Sequence, residues 1–212
     1  MNYREFMEKW RDAPYINMLG VFNHAGANQS MRNQLTRWQK KGLIIQLKRG
    51  TYILNKNDRN IFPSRFFFAN QIMWPSYVSL ESALGYYGLI PEMVSDVTSV
   101  TSKKTARFKN GLGQFIYQHL KLDIFKGYSS FKDESGMDVL IAVPEKALID
   151  FLYLNLSKFK VSAKDVFRDS CRFQNTEQLN CRKIVSWARS FKNRRLESIA
   201  GEFCAFIRDE EK

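Results

Sequence analysis

The chain has 212 residues, of which 44% are hydrophobic and 25% charged, and its formal net charge is +12. This composition argues against disorder, and the length allows one large domain or two smaller ones. Charges occupy the first dozen residues and no apolar run approaches the length of a membrane span, so we expect a cytoplasmic protein without membrane segments. Residues 1–60 contribute +7 of the net charge, which favours a nucleic-acid partner for the first quarter.

The sequence offers little to hold a metal or a cofactor. The candidate ligands are three cysteines and two histidines, namely Cys171, Cys181, Cys204, His24 and His119. Because no C-x-x-C pair occurs, we predict reduced thiols and no structural zinc site. The run Gly111-Leu112-Gly113 lacks the third glycine of a dinucleotide-binding loop and precedes a predicted strand, so no nucleotide cofactor is expected.

Two helices are predicted before residue 23. Apolar residues spaced i, i+3, i+4 and i+7 indicate a helix from Tyr3 to Trp10, with Asn2 as its N-cap. After Pro14, the apolar run over residues 15–22 predicts a second, short helix, which ends before Gly26.

A third helix is predicted over residues 31–41, capped by Asn28 or Ser30 and ended by Gly42 at its C′ position. At about 100° per residue, its side chains divide into an apolar stripe and a polar face. The stripe consists of Met31, Leu35 and Trp38. The polar face consists of Arg32, Asn33, Thr36, Arg37 and Lys40, and Lys41 follows at the end of the helix.

Two short apolar runs after this helix predict a β-hairpin. Its strands would be Leu43–Leu47 and Thr51–Leu54, and its tip Lys48-Arg49-Gly50. A helix followed by a basic hairpin is typical of a winged helix-turn-helix. In addition, no Asp or Glu occurs from Ala13 to Asn57, whereas ordinary surfaces mix the two signs. We therefore predict a DNA-binding domain over residues 1–57, with a merely solvated basic face as the alternative.

The predicted DNA contacts fall into two groups. Arg32, Asn33 and Arg37 would contact base edges, because guanidinium and amide groups match them. The groups that would mainly contact phosphates are those of Thr36, Lys40, Lys41, Lys48 and Arg49.

The polar stretch Asp58–Pro63 predicts the boundary to a larger mixed α/β domain over residues 64–212. Its helices are predicted over residues 66–74, from the N-cap Ser79 to a stop at Pro91, from Pro144 onward, and over most of 161–206. Its strands are predicted at Val97–Thr101, Gln114–Gln118 and Val139–Val143, with a weaker fourth at Ile124–Tyr128. The fold class is thus α+β: an N-terminal winged helix-turn-helix followed by a mixed α/β domain with a helical C-terminal part.

Two further basic clusters lie in this domain. The first follows a strand in a predicted loop and contains Lys103, Lys104, Arg107 and Lys109. The second lies on and after a predicted helix and contains Arg182, Lys183, Arg189, Lys192, Arg194 and Arg195. Each is either solvated surface or a second surface for nucleic acid or another partner.

No motif of a known catalytic class occurs, so we predict that the chain is not an enzyme. The pair Asp133-Glu134 lies in a polar segment that indicates a solvated hairpin tip. A nuclease that gathers Asp96, Asp138 and Glu145 from distant positions stays open as an alternative.

Three ordered segments carry a resemblance to a known family. They are the hairpin Lys48–Leu54 (KRGTYIL), the segment Tyr77–Pro91 (YVSLESALGYYGLIP) and the segment Val143–Asp150 (VPEKALID). They resemble the basic-Arg-Gly-x-Tyr wing, the central signature and the PEKAL-x-D segment of AbiEi-type antitoxins. The resemblance covers roughly residues 16–155, and the part from about Val161 matches no motif of the family.

The resemblance implies a type IV antitoxin that represses its own operon. The implied ligand is double-stranded DNA with inverted repeats in its own promoter. The implied partner is an AbiEii-type nucleotidyltransferase toxin, which the antitoxin counters without a stable complex. Two rivals stay open: a DNA- or RNA-processing enzyme that docks its substrate through the winged helix, and a ligand-sensing transcriptional regulator.

Overall fold

A computed structural model describes residues 1–19, 28–91, 95–159 and 163–210. Within them the chain is an α+β protein, as predicted, with a three-stranded and a six-stranded sheet. The N-terminal elements are α1 (Tyr3–Trp10), β1 (Ile16–Asn17), α2 (Asn28–Lys40), β2 (Ile44–Lys48) and β3 (Thr51–Leu54). The three strands are antiparallel in the order β1-β3-β2.

Helices α1 and α2 follow the predicted periodicity. Asn2 caps α1 by accepting a hydrogen bond from Glu5 N, and the Glu5 carboxylate accepts one from Asn2 N, which completes a capping box. Trp38 of α2 packs on Phe6 of α1, with ring centroids 4.8 Å apart. Gly42 takes a φ of +70°, as its predicted C′ position requires.

Two predictions for this region are wrong. Ile16 and Asn17 form strand β1 instead of part of a helix, because Ile16 pairs with Tyr52 and is buried in the small core. The predicted caps Asn28 and Ser30 both lie inside α2. Residues 20–22, His24 and Gly26 lie outside the described residues.

The larger part of the chain places helices against the six-stranded sheet. Its elements up to residue 154 are α3 (Arg65–Ile72), β4 (Ser76–Val78), α4 (Leu80–Tyr86), β5 (Val97–Thr101), β6 (Ala106–Asn110), β7 (Gly113–His119), β8 (Tyr128–Lys132), β9 (Asp138–Ala142) and α5 (Pro144–Leu154). The strand order is β6-β7-β5-β4-β9-β8, so β6 and β8 are the edge strands. β5 is parallel to β7 and β4 is parallel to β9, while the other neighbours are antiparallel.

The C-terminal part is mainly helical where the structure describes it. A helical turn at Ala163–Asp165 runs into a π-helical turn at Val166–Ser170, and α6 (Cys181–Ser190) and α7 (Arg194–Glu210) follow. Short 3-10 turns occur at Leu122–Ile124, Leu156–Lys158 and Thr176–Gln178. No helix in the described ranges combines the length and the apolar character needed to cross a membrane.

The prediction of the strands was partly wrong. The strands predicted near β5, β7 and β9 are confirmed, but the weak strand at 124–128 is not, because its place is taken by a 3-10 turn and the strand β8 begins at Tyr128. Of the segment predicted as a basic loop, Lys103 and Lys104 lie in a turn as expected, but Arg107 and Lys109 lie on strand β6. Exposed Arg107 and Lys109 alternate there with half-buried neighbours, as expected for an edge strand. Helix α4 ends at Tyr86, before the predicted stop at Pro91.

The hairpin β2–β3 lies between two hydrophobic cores. Ile44 and Tyr52 pack with α1 and α2, whereas Leu47 and Ile53 belong to the core of the larger part. All four residues of β3 are buried, which explains why this strand shows no polar alternation. The hairpin is thereby fixed on the six-stranded sheet, and Asn110 Nδ2 of β6 donates a hydrogen bond to Leu47 O (3.1 Å).

Candidate nucleic-acid interface

Helix α2 presents its polar face to solvent. The side chains of Leu35 and Trp38 are buried beneath it, with 1% and 7% exposure. The exposed residues are the predicted contacts Arg32, Asn33, Thr36, Arg37, Lys40 and Lys41. Within the part of the chain that the structure describes, no carboxylate lies within ion-pairing distance of Arg37, Lys40 or Lys41. The face is therefore an exposed cationic surface.

The tip of the hairpin depends on Gly50. This residue has a φ of +76°, and its carbonyl accepts a hydrogen bond from Met18 N (2.8 Å). A Cβ at this position would lie 2.5 Å from Leu19 Cδ2, so the glycine is required both by its backbone conformation and by its neighbour. Arg49, the preceding residue, is exposed.

A groove of about 640 Å³ lies between α2 and the hairpin; we call it the helix–hairpin groove. It is lined by Leu19, Arg32, Thr36, Lys48, Arg49, Gly50 and Tyr52. Burial raises the pKa of the Tyr52 hydroxyl, and the positive charge of Arg32 opposes this shift. The groove brings a predicted base contact, Arg32, and a predicted phosphate contact, Arg49, to one concave surface.

Lys48 has a different role from the one predicted. Its side chain is half-buried, and Nζ donates hydrogen bonds to Ile72 O (2.8 Å) and Gln71 O (3.0 Å) at the end of α3. A cation at a helix C-terminus stabilises the helix dipole and its unpaired carbonyls. Burial and the charge of Lys103 lower the pKa of Lys48. Lys48 therefore anchors the hairpin to α3, and Arg49 is the exposed cation of the tip.

The first basic cluster of the larger part lies next to this anchor. Lys103 and Lys104 are exposed in the turn between β5 and β6, and Arg107 and Lys109 are exposed on β6. The two lysines line a pocket of about 830 Å³, the β5–β6 pocket, whose other lining residues are Met73, Ser102, Thr105, Ala106 and His119. His119 Nδ1 lies 2.9 Å from Lys103 O.

The second basic cluster lies on a different side of the molecule. All of its members are exposed, namely Arg182, Lys183, Arg189, Lys192, Arg194 and Arg195. Among the described residues, two of these side chains bind other residues of the chain. Lys183 Nζ lies 3.8 Å from Glu145 Oε1, and Arg195 Nη2 donates a hydrogen bond to Phe159 O (2.6 Å). Since Gly127, just before edge strand β8, lies against the Trp187 ring of α6, this cluster is nearer to β8 than to β6.

The two longer antitoxin-like segments meet at a buried ion pair. Lys146 Nζ and Asp150 Oδ1 pair within α5, and neither side chain is exposed. Asp150 Oδ2 accepts hydrogen bonds from Tyr77 OH (3.0 Å) and Ser79 Oγ (2.9 Å). Burial lowers the pKa of Lys146 and raises the pKa of Asp150, while their mutual attraction opposes both shifts. Ser79 was predicted to cap α4 with its hydroxyl, but that hydroxyl is used here.

Asp96 and Asp138, two of the three carboxylates that a nuclease would have to gather, are bound to different residues. Asp96 Oδ2 accepts a hydrogen bond from Gln114 Nε2 (2.7 Å), and Asp138 forms an ion pair with Lys132 (2.7 Å). Across the described ranges, no three His, Cys, Asp or Glu side chains are placed to hold a metal ion.

The Asp133 carboxylate was predicted to be solvated, but it accepts hydrogen bonds from three backbone N–H groups. Its Oδ2 accepts a hydrogen bond from Ser64 N (2.7 Å), and its Oδ1 accepts bonds from Ser135 N (3.0 Å) and Met137 N (2.9 Å). The carboxylate thereby links the β8–β9 hairpin to the start of α3, which begins after Ser64.

An aromatic pocket of about 580 Å³ was not predicted from the sequence. It is lined by Phe62, Ser64, Arg65, Phe66, Tyr86, Phe131, Lys132, Asp133 and Glu134. The Tyr86 and Phe131 rings stack with centroids 5.2 Å apart, and Arg65 Nη1 donates a hydrogen bond to Ser95 O (2.7 Å). Because the lining residues come from separate segments, no local sequence pattern marks this pocket.

A comparison of the chain with protein-family models finds no match, and neither does a comparison with curated protein sequences.

Proposed function

We propose that this chain is a DNA-binding antitoxin and transcriptional autorepressor of a type IV toxin–antitoxin operon. The observation that carries the DNA-binding part is the exposed cationic face of α2 beside a glycine-dependent basic hairpin tip. Helix α2, β2 and β3 would form a winged helix, with α2 in a major groove and the hairpin over the adjacent backbone.

The proposed contacts follow from exposure and chemistry. Arg32, Asn33 and Arg37 offer guanidinium and amide groups to base edges. The exposed groups that offer charge or a hydroxyl to phosphates are those of Thr36, Lys40, Lys41 and Arg49. The proposed target is a set of inverted repeats in the chain's own promoter.

The antitoxin part of the proposal rests on the resemblance to AbiEi antitoxins. The partner would be an AbiEii-type nucleotidyltransferase toxin in the cytoplasm, countered without a stable complex, and the chain itself would not be an enzyme. Tyr77, Ser79, Lys146 and Asp150 of the antitoxin-like segments are buried together. These segments therefore support the fold, and we propose that the surface that counters the toxin lies elsewhere on the larger part.

Footprinting on the chain's own upstream DNA tests the repressor. We expect protection of inverted repeats in the wild type and its loss in Arg32→Ala/Arg37→Ala. An upstream region without any protected segment would contradict autorepression.

Co-expression with the nucleotidyltransferase-type toxin of the same operon tests the antitoxin. We expect the chain to restore growth without co-eluting with the toxin in gel filtration. Arg32→Ala/Arg37→Ala should still restore growth, because DNA binding and neutralisation are assigned to different surfaces. Failure of the wild type to restore growth would contradict the antitoxin role.

The aromatic pocket favours a second candidate function, a ligand-sensing regulator. Its stacked Tyr86 and Phe131 rings suit a small aromatic ligand. A panel of small aromatic compounds should then raise the melting temperature of the wild type and change its DNA affinity, and Phe131→Ala should abolish both effects. An unchanged melting temperature across the panel would count against this candidate.

A further inference from the structure

The chain contains a second acid-free segment that the DNA-binding proposal does not use. No Asp or Glu occurs from Val97 to Leu122, just as none occurs from Ala13 to Asn57. The second segment covers β5, β6 and β7 and carries Lys103, Lys104, Arg107, Lys109 and Lys121. The 39 residues between them, 58–96, contain both acidic and basic residues, so the two segments are not parts of one continuous basic run.

The fold brings these two segments side by side. Strand β6 packs beside β2 of the hairpin, where Asn110 Nδ2 donates a hydrogen bond to Leu47 O (3.1 Å). A Cβ on Gly111 would lie 3.1 Å from Ile45 Cγ2, so the turn after β6 fits closely against β2. The acid-free surface of the hairpin therefore continues onto the edge of the six-stranded sheet.

Lys48 links the cations of the hairpin to those of the turn between β5 and β6. It lines the helix–hairpin groove together with Arg32 and Arg49, and its ammonium bonds Ile72 O, next to Met73, which lines the β5–β6 pocket with Lys103. Burial and the positive charge of Lys103 lower the pKa of this ammonium. Lys48 is held in place by two carbonyl oxygens of α3, not by a carboxylate. An anion bound near both lysines would relieve the repulsion between Lys48 and Lys103.

The β5–β6 pocket adjoins the Lys48 anchor, because Met73, which follows Ile72 in the chain, lines it. Lys103 and Lys104 are both exposed at this pocket, and His119 lines it as well. Two contacts hold the backbone of this turn: Lys103 N donates a hydrogen bond to Thr101 Oγ1 (3.2 Å), and Lys103 O lies 2.9 Å from His119 Nδ1. Both contacts use backbone atoms of Lys103, so its side chain stays exposed to solvent.

We infer that the DNA-contacting surface does not end at the hairpin but continues over Lys48 to Lys103 and Lys104, which hold phosphates of the duplex flanking the segment contacted by α2. This inference rests on the proposed function, since it extends the same DNA site. A regular array of phosphates is the polyanion that such a strip of lysines and arginines fits. Because lysine ammonium groups contact phosphate without selecting bases, the extension adds affinity and leaves sequence preference unchanged.

The test compares three double variants that each remove two exposed positive charges. They are Lys103→Ala/Lys104→Ala, Arg32→Ala/Arg37→Ala and, as the matched control near β8, Arg182→Ala/Arg189→Ala. Fluorescence anisotropy would measure binding to a labelled 60-base-pair duplex from the chain's own upstream DNA, to a mixed-sequence duplex of the same length and to a single-stranded RNA, over a series of salt concentrations.

For Lys103→Ala/Lys104→Ala we expect about tenfold weaker binding to both duplexes, the same ratio between them, and a salt slope smaller by about two. The control should bind both duplexes like the wild type. Unchanged affinity and slope in Lys103→Ala/Lys104→Ala would overturn the extension while the DNA-binding proposal still held. A loss of binding to single-stranded RNA alone would overturn it in favour of an RNA partner. Absence of any duplex binding by the wild type would instead overturn the proposed function itself, and with it the extension.

Discussion

Lys146 and Asp150, one helical turn apart on α5, form an ion pair in which neither side chain has any exposed surface. Tyr77 and Ser79, from the strand β4 and the residue after it, donate hydrogen bonds to the same carboxylate. The pair therefore joins α5 to the middle of the six-stranded sheet, and its loss should affect the whole larger part of the molecule.

Removing one partner of this pair should destabilise the protein strongly. Lys146→Met leaves a buried carboxylate without its counter-ion, so we expect the free energy of unfolding to fall by about 3–5 kcal/mol in urea titrations. The double variant Lys146→Met/Asp150→Leu removes both charges and should cost less than the sum of the two single variants. Additive costs would mean that the two charges are not coupled.

Gly50→Ala should cost more than Gly136→Ala, although the two glycines have almost the same φ, +76° and +75°. Among the described residues, apart from Gly136 and its two chain neighbours, no atom lies within 4 Å of a Cβ on Gly136. That variant therefore measures the backbone strain alone, about 1 kcal/mol. Gly50→Ala adds the clash with Leu19. In a Leu19→Ala background the two costs should become equal, and a persistent difference in thermal unfolding would contradict the role assigned to Leu19.

Lys48 and Arg49 are neighbours in sequence but should behave differently. Lys48→Met removes two hydrogen bonds to the end of α3 and should lower the free energy of unfolding by about 1–2 kcal/mol. Arg49→Ala, at an exposed position, should leave stability within about 0.5 kcal/mol and weaken DNA binding. If Lys48→Met left stability unchanged, the anchor would be refuted.

Tyr117 gives a prediction for alkaline pH. Its hydroxyl donates a hydrogen bond to Ala69 O (2.7 Å), and burial raises its pKa above the ordinary value. A raised pKa contributes stability that is complete below the unfolded-state pKa of about 10 and is lost as pH rises toward the folded-state pKa. Tyr117→Phe should therefore cost about 1 kcal/mol at pH 8 and less at pH 11.

Urea midpoints at the two pH values check this prediction. Phe115→Leu, a buried substitution on the same strand that removes no titratable group, is the control and should have the same cost at both. A cost of Tyr117→Phe that stayed constant or grew with pH would contradict the assigned sign.

The elements that were predictable from the sequence are those whose own residues determine them. Helix α1 carries a full capping box at Asn2 and Glu5, and the buried stripe of α2 at Leu35 and Trp38 follows from helical periodicity. The turn at Gly50 is likewise a local property. For this reason the exposed face of α2, the main part of the candidate site, could be derived before the structure.

Other features depend on partners that are distant in sequence. From the sequence, Arg107 and Lys109 indicate a solvated loop at β6. The segment is a strand because it pairs with β7, which the local sequence does not reveal. A lysine four residues before an aspartate usually indicates an exposed helical pair, so the burial of Lys146 and Asp150 could not be deduced from their spacing. Lys48 looked like a phosphate contact because the end of α3, which binds it, lies more than twenty residues later.

The most direct test of the central claim is the ratio of dissociation constants for unrelated and own upstream DNA, measured for the wild type and for Arg32→Ala/Arg37→Ala. If α2 contacts base edges, the wild type should prefer its upstream DNA, and the double variant should lose most of that preference, since each specific contact discriminates by about 1–3 kcal/mol. The variant should keep residual binding through the remaining cations. A wild-type ratio of one, or a variant that retained the full preference, would contradict sequence recognition by α2.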